Sequence, residues 1–190
     1  GIIVAFLFIL GMFLVKGRLK WTLFTITIIS IFLAWGKNWM PFTDFFIDYI
    51  PGYNKFRAVS MTLVIAELAI PILAFLTLGK IVEDPSILKR NRNALFISFG
   101  LTGGLALLFY LAPATFFSFM SGGEKLQFAQ LLETNDAAQV NQYLDSLKRV
   151  RIEIFKADAI RGFFFVLAAA GLVYLFSMQK VKRSWLKIGR

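Results

Sequence analysis

The chain has 190 residues, 58% hydrophobic and 17% charged, with 22 Phe, no Cys, no His and a formal charge of +10. Soluble domains carry roughly 45–50% apolar and about 25% charged residues, so a chain of this length cannot hide so much apolar surface from water and reads as an integral membrane protein. Disulfides, zinc–thiolate centres, Cys nucleophiles and Ser-His-Asp triads are excluded, and the positive excess is a topology and lipid-surface signal, with no nucleic acid among the expected partners.

In chain order, the first element is the apolar run Gly1–Val15. Its basic residues Lys16, Arg18 and Lys20 follow the run, the reverse of a signal peptide. The chain therefore reads as an internal or C-terminal section of a longer protein, with the remainder of its own chain as a partner. Four further apolar segments follow, at 21–35, 58–78, 94–112 and 160–178. A hydrocarbon core of ~30 Å needs about 20 helical residues. The last three meet that length; the second is short and borrows from Leu19. The expected fold class is all-α: a multi-pass helical transmembrane bundle of about five spans. An interfacial amphipathic helix and a helical extracytoplasmic loop complete it, and residues 1–190 form a single transmembrane region.

Orientation follows from basic-residue density. The loops 16–20 and 79–93 and the tail 179–190 hold 12 Lys and Arg in 32 residues, against 8 in the 69 residues of 36–57 and 113–159. The denser set is assigned to the cytoplasm and the sparser set to the outside. In the first outer loop, Pro41 suits a first helical turn, and Phe42, Phe46 and Tyr49 then form an aromatic stripe on a short interfacial helix. Pro51-Gly52 turns the chain back. In the second, Thr134 or Asn135 is expected to cap a helix from Asp136 whose apolar face is Val140, Tyr143, Leu144 and Leu147. No breaker separates this helix from the last span, so it is expected to run into the membrane without interruption.

Several residues carry chemistry. Asp44 and Asp48 are four apart on one helical face. They read either as two solvated acids near a helix start or as oxygen ligands to a divalent metal or an acceptor; no other cofactor is indicated. Lys55 and Arg57 stand at the outer mouth of the third span, at the depth of lipid headgroups. The Arg fork matches phosphate oxygens two at a time, and a basic residue snorkelling to ordinary phospholipid is the alternative. Glu67 lies in the third span, where a charge costs about 2.5–3.5 kcal/mol on insertion scales. It is expected to face protein or a wet cavity, since Pro71 frees the carbonyl of residue 67 at the same place. Gly100 and Gly104 have the spacing of a close-packing helix face. Asp158 and Arg161 are placed to pair along one helix, with Arg151 and Arg161 alternatively part of a phosphate-facing patch.

The segment Pro51-Gly52-Tyr53, followed by Phe56-Arg57-Ala58-Val59-Ser60, resembles the loop of YfhO-type bacterial membrane proteins, of the broad GT-C class of polytopic glycosyltransferases. Gly36-Lys37-Asn38 before it is similar to members from the Bacteroidetes. Lys156-Ala157-Asp158-Ala159-Ile160-Arg161 resembles a second stretch of that family, and Val59 stands where many GT-C sequences have Pro. The resemblance, over roughly residues 20–180, implies transfer of a sugar from a polyprenyl-phosphate donor to an extracytoplasmic acceptor in a bacterial cytoplasmic (inner) membrane. With that function, Tyr53, Lys55, Arg57 and Arg161 would contact phosphate or substrate, Asp44 and Asp48 would help bind metal, sugar or acceptor without matching the family's catalytic carboxylate by position, and Glu67 would line a cavity. The family's catalytic carboxylate usually lies in the first outer loop near the protein's N-terminus, so no catalytic residue is assigned here. Membrane lipids and the polyprenyl-phosphate-linked sugar are the expected partners. A transporter or flippase for a lipid-linked substrate, and a non-catalytic membrane scaffold, are the alternative functions.

Overall fold

A computed structural model describes residues 1–35, 45, 48, 49, 62–134 and 136–178. The described residues are helical, with no strand. The helices are α1 (Ile2–Leu14), α2 (Arg18–Trp35), α3 (Leu63–Glu83), α4 (Ile87–Arg90), α5 (Arg92–Leu111), α6 (Pro113–Phe116), α7 (Gly122–Thr134) and α8 (Ala137–Ser177). Among them, α2, α3, α5 and α8 are long and apolar enough to cross a membrane. Only 22–33% of each apolar window is buried. Large side chains such as Phe75, Phe96, Leu111 and Leu172 stand exposed. Surfaces of that kind are stable against hydrocarbon and not against water, and the chain is a multi-pass membrane protein.

The span limits shift from the hydropathy reading in instructive ways. α2 starts at Arg18, gaining Leu19 as expected and reaching 18 residues, about 27 Å at 1.5 Å per residue. α3 continues through Lys80 to Glu83, past the point where charge marks the end of the apolar run. The i,i+3 pair of Lys80 with Glu83 at 2.6 Å lies along this last turn. Asp84 leaves the helical region, as a residue before proline does. Glu67 is thus the fifth residue of the described helix, not its centre. α8 is the uninterrupted helix that the absence of breakers implies, 41 residues long, about 61 Å. That is twice the hydrocarbon thickness, so roughly half of it projects beyond the membrane. Its cap is Asp136, whose Oδ1 accepts the Ala138 amide at 3.0 Å, rather than Thr134, which ends α7.

The chain divides into two compact units, Gly1–Ser98 with Ala169–Arg190, and Phe99–Ala168. In the first unit, α1 and α2 both pack on α3. Phe8, Val15, Leu23, Ala69 and Leu73 form the shared core. Gly17, at φ +106°, makes the tight turn from α1 to α2. Lys20 Nζ donates to the Met12 carbonyl at 2.7 Å, closing the last turn of α1. Ser30 and Thr62 exchange side-chain to carbonyl hydrogen bonds, bringing the second half of α2 to the start of α3. α3 therefore runs parallel to α1. The close approach is at Gly11, where a Cβ would overlap Thr77 Oγ1 and lie 3.0 Å from Leu73 Cγ.

At residues Gly100–Gly104, α5 widens into a π-helical turn. A Cβ on Gly100 or Gly104 would meet nothing within 4 Å. Among the described residues, no helix packs against the expected close-packing face at these two glycines. The interfacial helix expected at Pro41–Ile50 lies outside the described residues except for Phe45, Asp48 and Tyr49, which are helical and exposed.

Candidate functional site

In the second unit the chain leaving α5 folds back over α8. Pro113 starts the single turn α6, and the loop after it leads into α7. Ser121 and Glu124 form a reciprocal capping box at the start of α7. The Ser121 amide donates to Glu124 Oε2 at 2.8 Å, and the Glu124 amide donates to Ser121 Oγ at 3.2 Å. The same carboxylate receives both arms of Arg151 from α8, at 2.6 and 3.1 Å, and Arg151 Nη1 also donates to the Phe119 carbonyl at 2.8 Å. These bonds hold the Glu124 carboxyl far below its usual range, from 4.5 to about 2, with the Arg151 hydrogen bond the largest cause. One bidentate clasp thereby ties loop, α7 and α8 together.

Beneath the clasp, Phe155 is the hub of an aromatic cluster. Its ring lies 5.0 Å from Phe117, 5.6 Å from Phe119 and 6.2 Å from Phe109. Lys156 Nζ stands 6.0 Å from the Tyr110 ring. Aromatic and basic residues at the end of an apolar helix are the marks of a membrane–water interface.

One turn back along α8 from Phe155, towards its start, is a cavity of about 490 Å³, walled by Phe117, Phe119, Phe128, Leu144 and Ile152 and bordered by Lys125 and Lys148. Phe128 is braced by Tyr143 at 6.2 Å. Neither lysine makes an ion pair among the described residues. An apolar chamber with two free ammonium groups has the chemistry to hold an amphiphile by its apolar part and neutralise an anionic group on it.

The residues singled out from sequence fall differently. Tyr53, Lys55, Arg57 and Asp44 lie outside the described residues. Asp48 is exposed on its helical turn beside the Phe45–Tyr49 ring pair, whose centroids are 5.0 Å apart. Arg161 pairs with Asp158 at 3.5 Å, both side chains about two-thirds exposed. Arg151 pairs with Glu124 and donates to the Phe119 carbonyl. Glu67 is exposed, on the outer face of α3 with Val64 and Leu68. It has no hydrogen bond or ion pair among the described residues, so the expectation that it faces protein is not met within them. No three acidic residues gather as a metal site among the described residues. Sequence reading missed Lys125, Lys148 and the phenylalanine walls, although Ser121-Gly-Gly-Glu124 carries the capping-box signature. No family model, curated protein or solved structure matches the chain.

Proposed function

We propose that this chain is the membrane part of a YfhO-like protein of the GT-C class, in a bacterial cytoplasmic membrane, serving sugar transfer from a polyprenyl-phosphate donor to an extracytoplasmic acceptor. The motif from Pro51 to Ser60 supports the family reading. The observation that carries the substrate class is the cavity bordered by Lys125 and Lys148: apolar walls suit an isoprenoid or acceptor lipid, and the two ammonium groups suit its anionic group. Lys55, Arg57 and Tyr53, in the sequence before α3, remain the proposed phosphate or substrate contacts. Asp44 and Asp48 remain proposed for metal or acceptor.

Binding of a polyprenyl phosphate to the purified chain in detergent, against uncharged polyprenol, tests the reading. The phosphate should bind more tightly, and Lys125→Glu with Lys148→Glu should weaken it about tenfold or more per lysine. Equal binding of polyprenol, or indifference to the double variant, would remove the cavity from the proposal. A second reading, a flippase for a lipid-linked substrate, is favoured by the proline inside α3 and the π-turn of α5. Scrambling of a lipid-linked sugar across reconstituted vesicles, with no sugar transferred, would select it.

A further inference from the structure

The turn after α1, the end of α3 and the end of α8 meet at one end of the first unit. The parallel course of α1 and α3 brings the first two together. Ser177 Oγ donates to the Pro85 carbonyl at 2.7 Å and fixes the third. Lys16, Arg18, Lys20, Lys80, Lys89, Arg90 and Arg92 lie on these segments, on α4 and at the start of α5, with only Glu83 and Asp84 as acids. Both acids are occupied, Glu83 by Lys80 and Asp84 by Arg90. Lys89 and Arg92 are left without an ion pair among the described residues.

Those two cations border a small cleft of about 50 Å³ whose floor is Leu88, Leu95 and Phe96, with Tyr174 and Ser177 of α8 on its far side. Leu88 is buried, while Phe96 is 67% exposed and continues the floor onto the apolar outer surface. At roughly 10–15 Å³ per water, the cleft has room for a few waters or one phosphate group and none for a nucleotide or a sugar. Cations above, a hydroxyl at the side and an apolar ramp leading away into the bilayer match an anionic lipid.

We propose that this cleft holds the phosphodiester of an anionic bilayer lipid between Lys89 and Arg92, with an acyl chain along Leu95 and Phe96. The site is independent of the polyprenyl-phosphate reading, which concerns the cavity at Lys125 and Lys148 and the stretch that holds Lys55 and Arg57. The positive-inside rule puts it in the cytoplasmic leaflet.

The test uses the whole chain in nanodiscs of phosphatidylcholine doped with phosphatidylglycerol. A photoactivatable phosphatidylglycerol should crosslink to the peptides containing Phe96 and Tyr174, and a phosphatidylcholine probe should not. Lys89→Gln with Arg92→Gln should reduce bound phosphatidylglycerol about 30-fold, taking each cation near the surface at its usual strength. Lys16→Gln with Arg18→Gln should leave it within about twofold. Equal loss in both double variants would mean diffuse surface charge and overturn the site. So would crosslinking of the wild-type chain elsewhere, a readout that needs no variant to fold. Competition by millimolar inorganic phosphate or glycerol phosphate would make it a site for a soluble anion and overturn the lipid assignment.

Discussion

At the scale of single residues, the tightest constraint is Gly11. Its hydrogen faces Thr77, a fully buried side chain whose Oγ1 is bonded to the Leu73 carbonyl at 2.7 Å. There is no free volume for a methyl group. Gly11→Ala should destabilise the α1–α3 pair by about 1–3 kcal/mol, the usual cost of overpacking. Gly11→Ala with Thr77→Ala should recover most of it, because the overlapping oxygen is gone. Gly79→Ala, with open space around its Cα, should be close to neutral. Thermal unfolding in one detergent separates the three. Glu67 gives the opposite case. Exposed among Val64, Leu68 and Ile72 on an apolar helix, it carries an insertion cost and no described partner. Glu67→Leu should therefore insert at least as well as wild type, and a fall in membrane-integrated protein would show that the carboxylate is paired.

At the scale of elements, α7 depends on one clasp. The Glu124 carboxyl titrates near 2 when folded and near 4.5 when free. A lowered carboxyl contributes stability that is fully present above about pH 4.5 and is lost as pH falls through about 2. The protection of the α7 amides against hydrogen exchange, taken relative to the intrinsic rate at each pH, should fall across that window in the wild type. In Glu124→Gln the protection should be lower at neutral pH and unchanged across the acid range. Arg151→Lys keeps the charge but loses the fork, and should lie between them. The Phe155 cluster should persist in all three, since its ring packing owes nothing to charge. α8 needs no such clasp: a cap at Asp136 and no helix breaker over 41 residues suffice, which is why its length was readable from sequence.

For the whole molecule, the basic end assembled by the first unit gives the positive-inside assignment a physical surface. A cysteine introduced at Asn91, in a chain that has none of its own, should resist a membrane-impermeant thiol reagent in intact cells. One at Asp145, in the part of α8 beyond the apolar run, should be labelled. The reverse pattern would invert the topology and move the proposed lipid cleft to the outer leaflet.

What composition and periodicity determined by themselves was the solvent and the element type. An excess of Phe, Leu and Ile too large to bury dictates hydrocarbon, and a backbone in hydrocarbon must satisfy its polar groups internally, so helices follow. The continuous α8 and the i,i+3 placement of Asp158 and Arg161 were equally legible, because both depend only on residues near in sequence. The site was not. Lys125 and Lys148 are 23 positions apart, and Phe117, Phe128 and Ile152 are spread wider still. They line one cavity only because Glu124 reaches across 27 residues to Arg151. Gly11 looked like any glycine in an apolar run until α3 was laid against it. The partner of Arg151 could not be read either, because Glu124 lies 27 residues away. Hydropathy is a sum over neighbours along the chain, whereas a cavity, a close approach and the partner of a charge are properties of neighbours in space.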